Sequence, residues 1–294
     1  MFELGIISDE ISDDFERSCR LISEWGMRHV ELRTMWDKNI LALSEAELEA
    51  VAASLEAHRL SVTAIASPVF KSPLDGKPRE IEGDFQLAGY ESFEAQLELI
   101  RKAAILCERF GTDKIRIFSF WREPWTRELV AEVAGKLLEA AGLARDLGVV
   151  LVVENEPVCC VGTGQELGEL FAEMQGQGSA EALEHIAMLW DPGNARHAGE
   201  TTPYPDGYEE LSSGRIVHVH LKDAIIDGIG NRTLVPLGQG EIDYVGQFRR
   251  LQRDGYRGVL VLEPHYYPEG LSQEEAALRC VEGAREVLER AFAS

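Results

Sequence analysis

The chain has 294 residues, with 29 Lys and Arg against 51 Asp and Glu, a formal charge of −22. Hydrophobic residues at 45% and charged residues at 27% make an ordinary globular balance and exclude a disordered or fibrous chain. The acidic excess opposes a phosphate backbone, whose affinity comes from Lys and Arg displacing counterions, and excludes nucleic acid and anionic membranes as expected partners.

No apolar run approaches the roughly 18 residues of a spanning helix. The opening MFELGIISDE has acids among its apolar residues and no basic stretch, so it does not read as a signal peptide. Cys19, Cys107, Cys159, Cys160 and Cys280 are scattered and lack the CxxC spacing of a zinc site. They read as buried thiols, and the expected location is a reducing cytoplasm.

In chain order, β-rich runs alternate with longer amphipathic stretches. ELGII near residue 5 and HVELR at 29–33 lead, and a helical pattern at 44–58 follows. LSVTAIA at 60–66 precedes a helix over 91–110, with Phe93, Leu97, Ile100, Ala104 and Cys107 as its apolar stripe. KIRIFSF at 114–120, a helix at 127–147, VVLVVEN at 149–155 and IAMLWD at 186–191 come next. RIVHVHLK at 215–222, GVLVLEP at 258–264 and a helix at 272–292 complete the series. Near-continuous apolar runs suit parallel strands buried on both faces. Gly26, Gly111, Gly148 and Gly255 each stand where a helix should stop before a strand. Eight strands with about eight helices and no compositional break predict one (β/α)8 TIM barrel domain over 1–294. An open doubly wound sheet is the alternative, but its glycine fingerprint is missing after the first strand. Connections 67–90 and 223–240 are long and leave the C-terminal face, where they read either as lids or as solvated insertions.

The informative feature is where apolar strands end. VVLVV runs into Glu154, IAMLW into Asp191, IVHV into His220 and VLVL into Glu263. These are the fifth to eighth strands, adjacent around half of a barrel. A charge there must be paired, solvated or bound to metal to offset its desolvation. Three carboxylates with one imidazole make a nest for a divalent cation: Mn²⁺, Co²⁺, Mg²⁺ or Zn²⁺. Of two histidines with the same parity, His220 lies nearer the mouth and is the expected ligand, while His218 sits a layer below. Lys222 shares that parity and reads either as a substrate or anion contact or as a salt bridge to a rim carboxylate. Glu156 and His265 line the pocket if strand direction persists, although Pro157 and Pro264 argue for an early turn. Glu31 and Arg33 end the second strand, Arg116 interrupts the fourth, and Trp36, Phe70 and Trp121 offer an aromatic wall or simple packing. Arg33, Arg116, Arg196 and Lys222 are candidates for an anion pocket, with Gly238-Gln239-Gly240 near the usual barrel phosphate region.

At these residues the chain resembles the xylose-isomerase-like barrel superfamily, in particular its sugar phosphate isomerase/epimerase group, which is related to ketose 3-epimerases and endonuclease IV. ISDEIS, HVELR, ENEP, WDPGNA, HVHLKD, PLGQGEIDY and LEPH carry the likeness over nearly the whole length. The resemblance implies one metal held by Glu154, Asp191, His220 and Glu263, with the two glutamates exchanging a substrate proton. Trinuclear zinc relatives have a histidine where this chain has Asn194. Histidine is also missing from Glu241-Ile242-Asp243-Tyr244 and from the ends of strands three and four, so a three-metal phosphodiesterase site is excluded.

The expected function is a metal-dependent isomerase or epimerase of a sugar, sugar phosphate or related polyhydroxy carbonyl compound. Glu154 and Glu263 are the proton-transfer pair, and Glu156, Asn194, His197, Lys222, His265 and Arg116 the substrate contacts. The alternatives are a metal-dependent dehydratase on a similar substrate and a non-catalytic carbohydrate-binding barrel. The partner expected is a small-molecule carbohydrate, with room left for a homo-oligomer.

Overall fold

Aliphatic-rich runs of three to six residues form the strands of the computed structural model, which describes residues 2–77, 92–227 and 231–293. The strands are β1 (Leu4–Ile7), β2 (His29–Leu32), β3 (Ser61–Ala66), β4 (Lys114–Ile117), β5 (Val150–Glu154), β6 (Ile186–Trp190), β7 (Ile216–Leu221) and β8 (Leu260–Leu262). All pair in parallel in sequential order, and β8 pairs with β1 to close the barrel. Closure leaves no sheet edge to protect. Around it lie α1 (Phe15–Glu24), α2 (Glu45–His58), α3 (Phe93–Phe110), α4 (Arg127–Leu147), α5 (Gly164–Gln177), α6 (Ala180–Leu183), α7 (Pro192–His197), α8 (Tyr244–Arg253) and α9 (Gln273–Phe292). This is a single (β/α)8 TIM barrel. Among the described residues no helix is long and apolar enough to cross a membrane.

Local chemistry sets the helix limits. Ser44, Thr163 and Ser272 form capping boxes with Glu47, Glu166 and Glu275, satisfying N–H groups that the first turn leaves unpaired. Gly111 and Gly148 end α3 and α4 in the left-handed region, with φ of 71° each. The buried stripe of α3 is rotated from the expected one: Gln96, Leu99, Ile100, Ala103, Leu106 and Cys107 face inward. Gln96 belongs there because its Oε1 accepts from the Phe70 backbone N–H at 2.7 Å.

Alternation along each strand divides the interior. Ile6, Val30, Leu32, Leu151, Val153, Met188, Trp190, Val219, Leu221, Leu260 and Leu262 join the continuous apolar core with the helices. Each fully buried aliphatic side chain contributes roughly 1.5–3 kcal/mol. The intervening positions include Glu31, Glu154, His218 and His220, all buried, so polar groups occupy the barrel axis. Register shifts occur between Val30 and Leu32, where β2 pairs with β3, and between Met188 and Leu189, where β6 pairs with β7.

The fourth strand is shorter than KIRIFSF suggests. After Ile117 the chain leaves the barrel: Phe118 N, Phe120 N and Trp121 N donate to Val69, Phe70 and Ser72 carbonyls at 2.8–2.9 Å. The described part of the connection after β3 is thus stitched to the next strand's extension; residues 78–91 of that connection lie outside the described residues. After β7 the chain forms an antiparallel hairpin, Asp223–Ile226 with Arg232–Val235, while residues 228–230 again lie outside the described set. The five cysteines are free and buried.

Candidate metal centre and substrate pocket

Four strand ends bring Glu154, Asp191, His220 and Glu263 together, with one donor atom from each lying within 4.8 Å of all the others. Each arrives by a distinct local device. Glu154 is the last residue of β5, and Asn155 beside it accepts from Asp191 N at 2.9 Å and donates to Asp191 O at 2.8 Å. That pair of hydrogen bonds ties the ends of β5 and β6 together. Asp191 caps α7: its Oδ1 accepts from Asn194 N at 2.9 Å, and Pro192 takes the first helical position, where its missing N–H costs nothing. Its other oxygen is left to the cluster. Glu263 follows β8 but stays in the ladder through Glu263 N to Leu221 O at 3.0 Å.

His220 is oriented from both sides. Nδ1 lies 3.3 Å from Glu154 Oε1 and 3.5 Å from Glu263 Oε2, while Nε2 lies 3.1 Å from Glu31 Oε1. The other oxygen of Glu31 meets His218 Nε2 at 2.6 Å. Glu31 is wholly buried; burial opposes its charge, but His220 and then His218 hold it below the usual carboxylate range. A carboxylate on Nε2 fixes a proton there, so Nδ1 is the nitrogen turned to the three acids and the one that would give up its proton to hold an ion. Burial opposes the charge on His220, but Glu31 and Glu154 raise it well above its ordinary value.

The acids differ in surroundings. Burial raises Glu263, but Lys222 and then His265 hold it well below the usual carboxylate range. Lys222 Nζ is 2.6 Å and Arg33 Nη1 2.5 Å from its oxygens. Glu154 is lowered too, by His220 and then Arg116, whose Nη1 is 3.2 Å away. Burial raises Asp191 above its ordinary value despite Lys222 at 2.9 Å. That lysine contact is not aligned as a hydrogen bond, so buried Asp191 Oδ2 lacks a hydrogen-bond donor. Buried acids, an acceptor with no donor and an imidazole nitrogen turned toward them are a donor set that fits a hard or borderline divalent cation.

Beside the cluster lies a cavity of about 150 Å³ lined by Arg33, Lys71, Arg116, Phe118, Glu156, Asn194, His197, Lys222, Arg232, Glu263 and His265. Asn194 is its hub: Nδ2 donates to Glu154 Oε1 at 3.1 Å and Asn155 O at 2.9 Å, while Oδ1 accepts from Lys222 at 3.1 Å. Glu156 and His265 both reach the wall despite the prolines that follow or precede them. Lys222 bridges two rim acids, and Arg116 and Lys71 both lie over the Phe118 ring, at 4.7 and 4.8 Å from its centre. Arg196 pairs with Glu241 at 2.7 Å and does not line the cavity. Gly238 and Gly240 donate their N–H groups to Asp223 Oδ2 at 2.9 and 3.0 Å, so a side chain already fills the place considered for phosphate. Phe70 and Trp121 are packed rather than exposed to the cavity.

Lys71, Phe118, Arg232 and Glu10 escaped the sequence reading. Glu10 is buried and holds Arg33 at 2.7 Å and His265 Nδ1 at 2.9 Å. The ISDEIS string contained Glu10, but nothing in the string marks its partners. A larger cavity of about 600 Å³ lies at the opposite end of the barrel, against the starts of β4 and β7 at Lys114 and Ile216 and against Gly258 just before β8. It contains none of the acids described here, and barrel chemistry resides at the other face.

A family model described as Xylose isomerase-like TIM barrel matches residues 19–284. An inosose dehydratase of Clostridium beijerinckii is 24% identical over 94% of this chain and 92% of its own. Two further proteins named inosose dehydratase, from Erwinia tasmaniensis and Serratia proteamaculans, match over only 49% and 50% of their own length. Among solved structures, the IolI protein with a bound zinc atom aligns with a TM-score of 0.75 at 18% identity, covering 99% of this chain and 100% of that one. A D-tagatose 3-epimerase-like protein aligns with a TM-score of 0.71 at 18% identity, covering 98% of each.

Proposed function

The chain belongs to the xylose isomerase-like TIM-barrel family of enzymes, and on that premise we propose that it is a divalent-metal-dependent enzyme that removes a proton next to the carbonyl of a polyhydroxylated compound. The observation carrying this reading is the buried convergence of Glu154, Asp191, His220 and Glu263 beside a polar cavity. These four would hold the ion, which when bound polarises the substrate carbonyl and offsets developing negative charge.

The chain's own residues divide the remaining work. Glu263, surrounded by Lys222, Arg33 and His265, is too strongly stabilised as an anion to be an effective base. Glu154 has fewer cations around it and is the proposed general base. Asn194 donates to the same Glu154 oxygen that faces His220, which leaves the other oxygen to Arg116, a residue of the cavity wall. His265, raised to about 9 by Glu10 and Glu263 in spite of burial, carries a proton at neutral pH.

Dehydration is the favoured outcome. Glu154 takes the proton from the carbon next to the carbonyl, the neighbouring C–OH bond breaks, and His265 gives its proton to the departing hydroxide. A carbon–carbon double bond forms and one water leaves. The relatives named inosose dehydratase support this outcome over the isomerisation read from the sequence. Isomerisation or epimerisation, in which the proton returns to carbon, is the second reading, and the D-tagatose 3-epimerase-like fold neighbour is what favours it.

Incubation of the metal-loaded protein with inosose and related keto sugars in D₂O separates the outcomes by mass. Dehydration removes one water; isomerisation loses no heavy atom and adds about one mass unit as deuterium enters from the solvent. Glu154→Gln should lower either rate about 10²–10⁴-fold. Binding of these compounds with neither exchange nor product would refute the proton-transfer reading.

A further inference from the structure

The cavity wall reverses the sign of the whole molecule. Five Arg and Lys side chains, Arg33, Lys71, Arg116, Lys222 and Arg232, face two carboxylates, Glu156 and Glu263, in a chain of net charge −22. Three of the cations serve the buried cluster. Arg33 is held by Asp9, Glu10 and Glu263, Lys222 by Asp191 and Glu263, and Arg116 by Glu154. Lys71 and Arg232 form no ion pair with it, and Glu156 and Asp191 act on Arg232 only at longer range. Lys71 Nζ comes only within 3.7 Å of Glu156 and lies over the Phe118 ring. Arg232 donates from Nη1 to a neutral acceptor, His197 Nδ1, at 2.7 Å. Among the described residues no carboxylate comes within 4.0 Å of Arg232.

A guanidinium held by an uncharged imidazole keeps its full charge for a further partner. An imidazole that accepts at Nδ1 carries its proton on Nε2, so His197 is a donor as well. The three groups come from three separate connections, after β3, β6 and β7, yet all reach one cavity. We propose that Lys71, His197 and Arg232 form a subsite for an anionic group, a carboxylate or a phosphate, carried by the substrate away from its reacting carbon. The forked guanidinium suits either group, since both offer two coplanar oxygens. This subsite rests on the reading that a polyhydroxylated carbonyl compound occupies the cavity, and it names that compound's charge.

Calorimetric titration of the magnesium-loaded protein with inorganic phosphate, with gluconate and with the neutral polyol xylitol tests the assignment. Binding of phosphate or gluconate should weaken about tenfold or more in Arg232→Ala and in Lys71→Met, and Arg232→Lys should restore part of it. Phosphate alone responding assigns a phosphorylated substrate; gluconate alone responding assigns a sugar acid. Anion binding indifferent to both substitutions, or xylitol binding as tightly as either anion, overturns the subsite. Magnesium affinity measured on the same variants keeps the two readings apart. An intact metal site without Arg232-dependent anion binding rejects the subsite only, whereas wild-type protein that binds no divalent ion rejects the metal reading and leaves the anion titration to stand.

Discussion

Glu31 accepts from His218 with one oxygen and from His220 with the other, at 2.6 and 3.1 Å. Glu31→Gln keeps the shape but supplies one acceptor and an amide donor in place of two charged acceptors. The proton on His220 is then free to move to Nδ1, toward the acids. Manganese affinity measured by calorimetry should fall about 10–100-fold, the usual cost of losing a partner behind a metal-binding histidine; unchanged affinity would sink the role given to Glu31. His197 offers a different readout. Burial first, then the charges of Arg232 and Lys222, lower it to about 4. The unfolded chain, at roughly 6.5, takes up the proton first. The stability linked to neutral His197 is therefore complete above about pH 6.5 and lost as pH falls through 4. In an NMR titration the His197 midpoint should rise in Arg232→Ala, because burial remains while the second cause is removed. A midpoint that does not move contradicts the pairing. Glu154, Asp191, His220 and Glu263 were legible because each is a charge terminating an apolar strand. Arg232 and Lys71 were not, because a cation in a polar loop has no pattern around it to break.

At the scale of elements, the turn from β6 into α7 does most to shape the centre. Asp191 caps the helix, Pro192 starts it, and Gly193 lets β7 approach. A Cβ on Gly193 would overlap the Lys222 side chain and sit 2.6 Å from its carbonyl oxygen. Gly193→Ala should cost about 1–3 kcal/mol in urea denaturation, the range for overpacking a close contact, and should loosen Lys222 from Asp191. Native-like stability would show that β7 has room to retreat. The strand-and-helix alternation could be read from apolar runs and glycine stops. The extent of β4 could not: Phe118 and Phe120 continue its apolar pattern, but their N–H groups go to Val69 and Phe70 outside the barrel. Periodicity reports which residues are buried; the strand partner that receives each N–H is a separate choice. The same limit explains α3, where a buried glutamine takes a place on the stripe because it satisfies the Phe70 N–H.

Across the whole molecule the net charge is −22 while the cavity wall gathers cations, so net charge alone does not describe what the cavity would accept. The contacts that finish the centre also join the most distant parts of the chain. Glu31 meets His220 across 189 residues, Arg33 meets Glu263 across 230, and Glu10 receives the His265 N–H across 255. Such separations make closure entropically expensive and slow. They also mean that a ribosome-bound chain lacking β8 has no Glu263 to place against β1 and β2. Ion affinity should emerge abruptly with the final strand, making metal capture a timestamp for the completed ring.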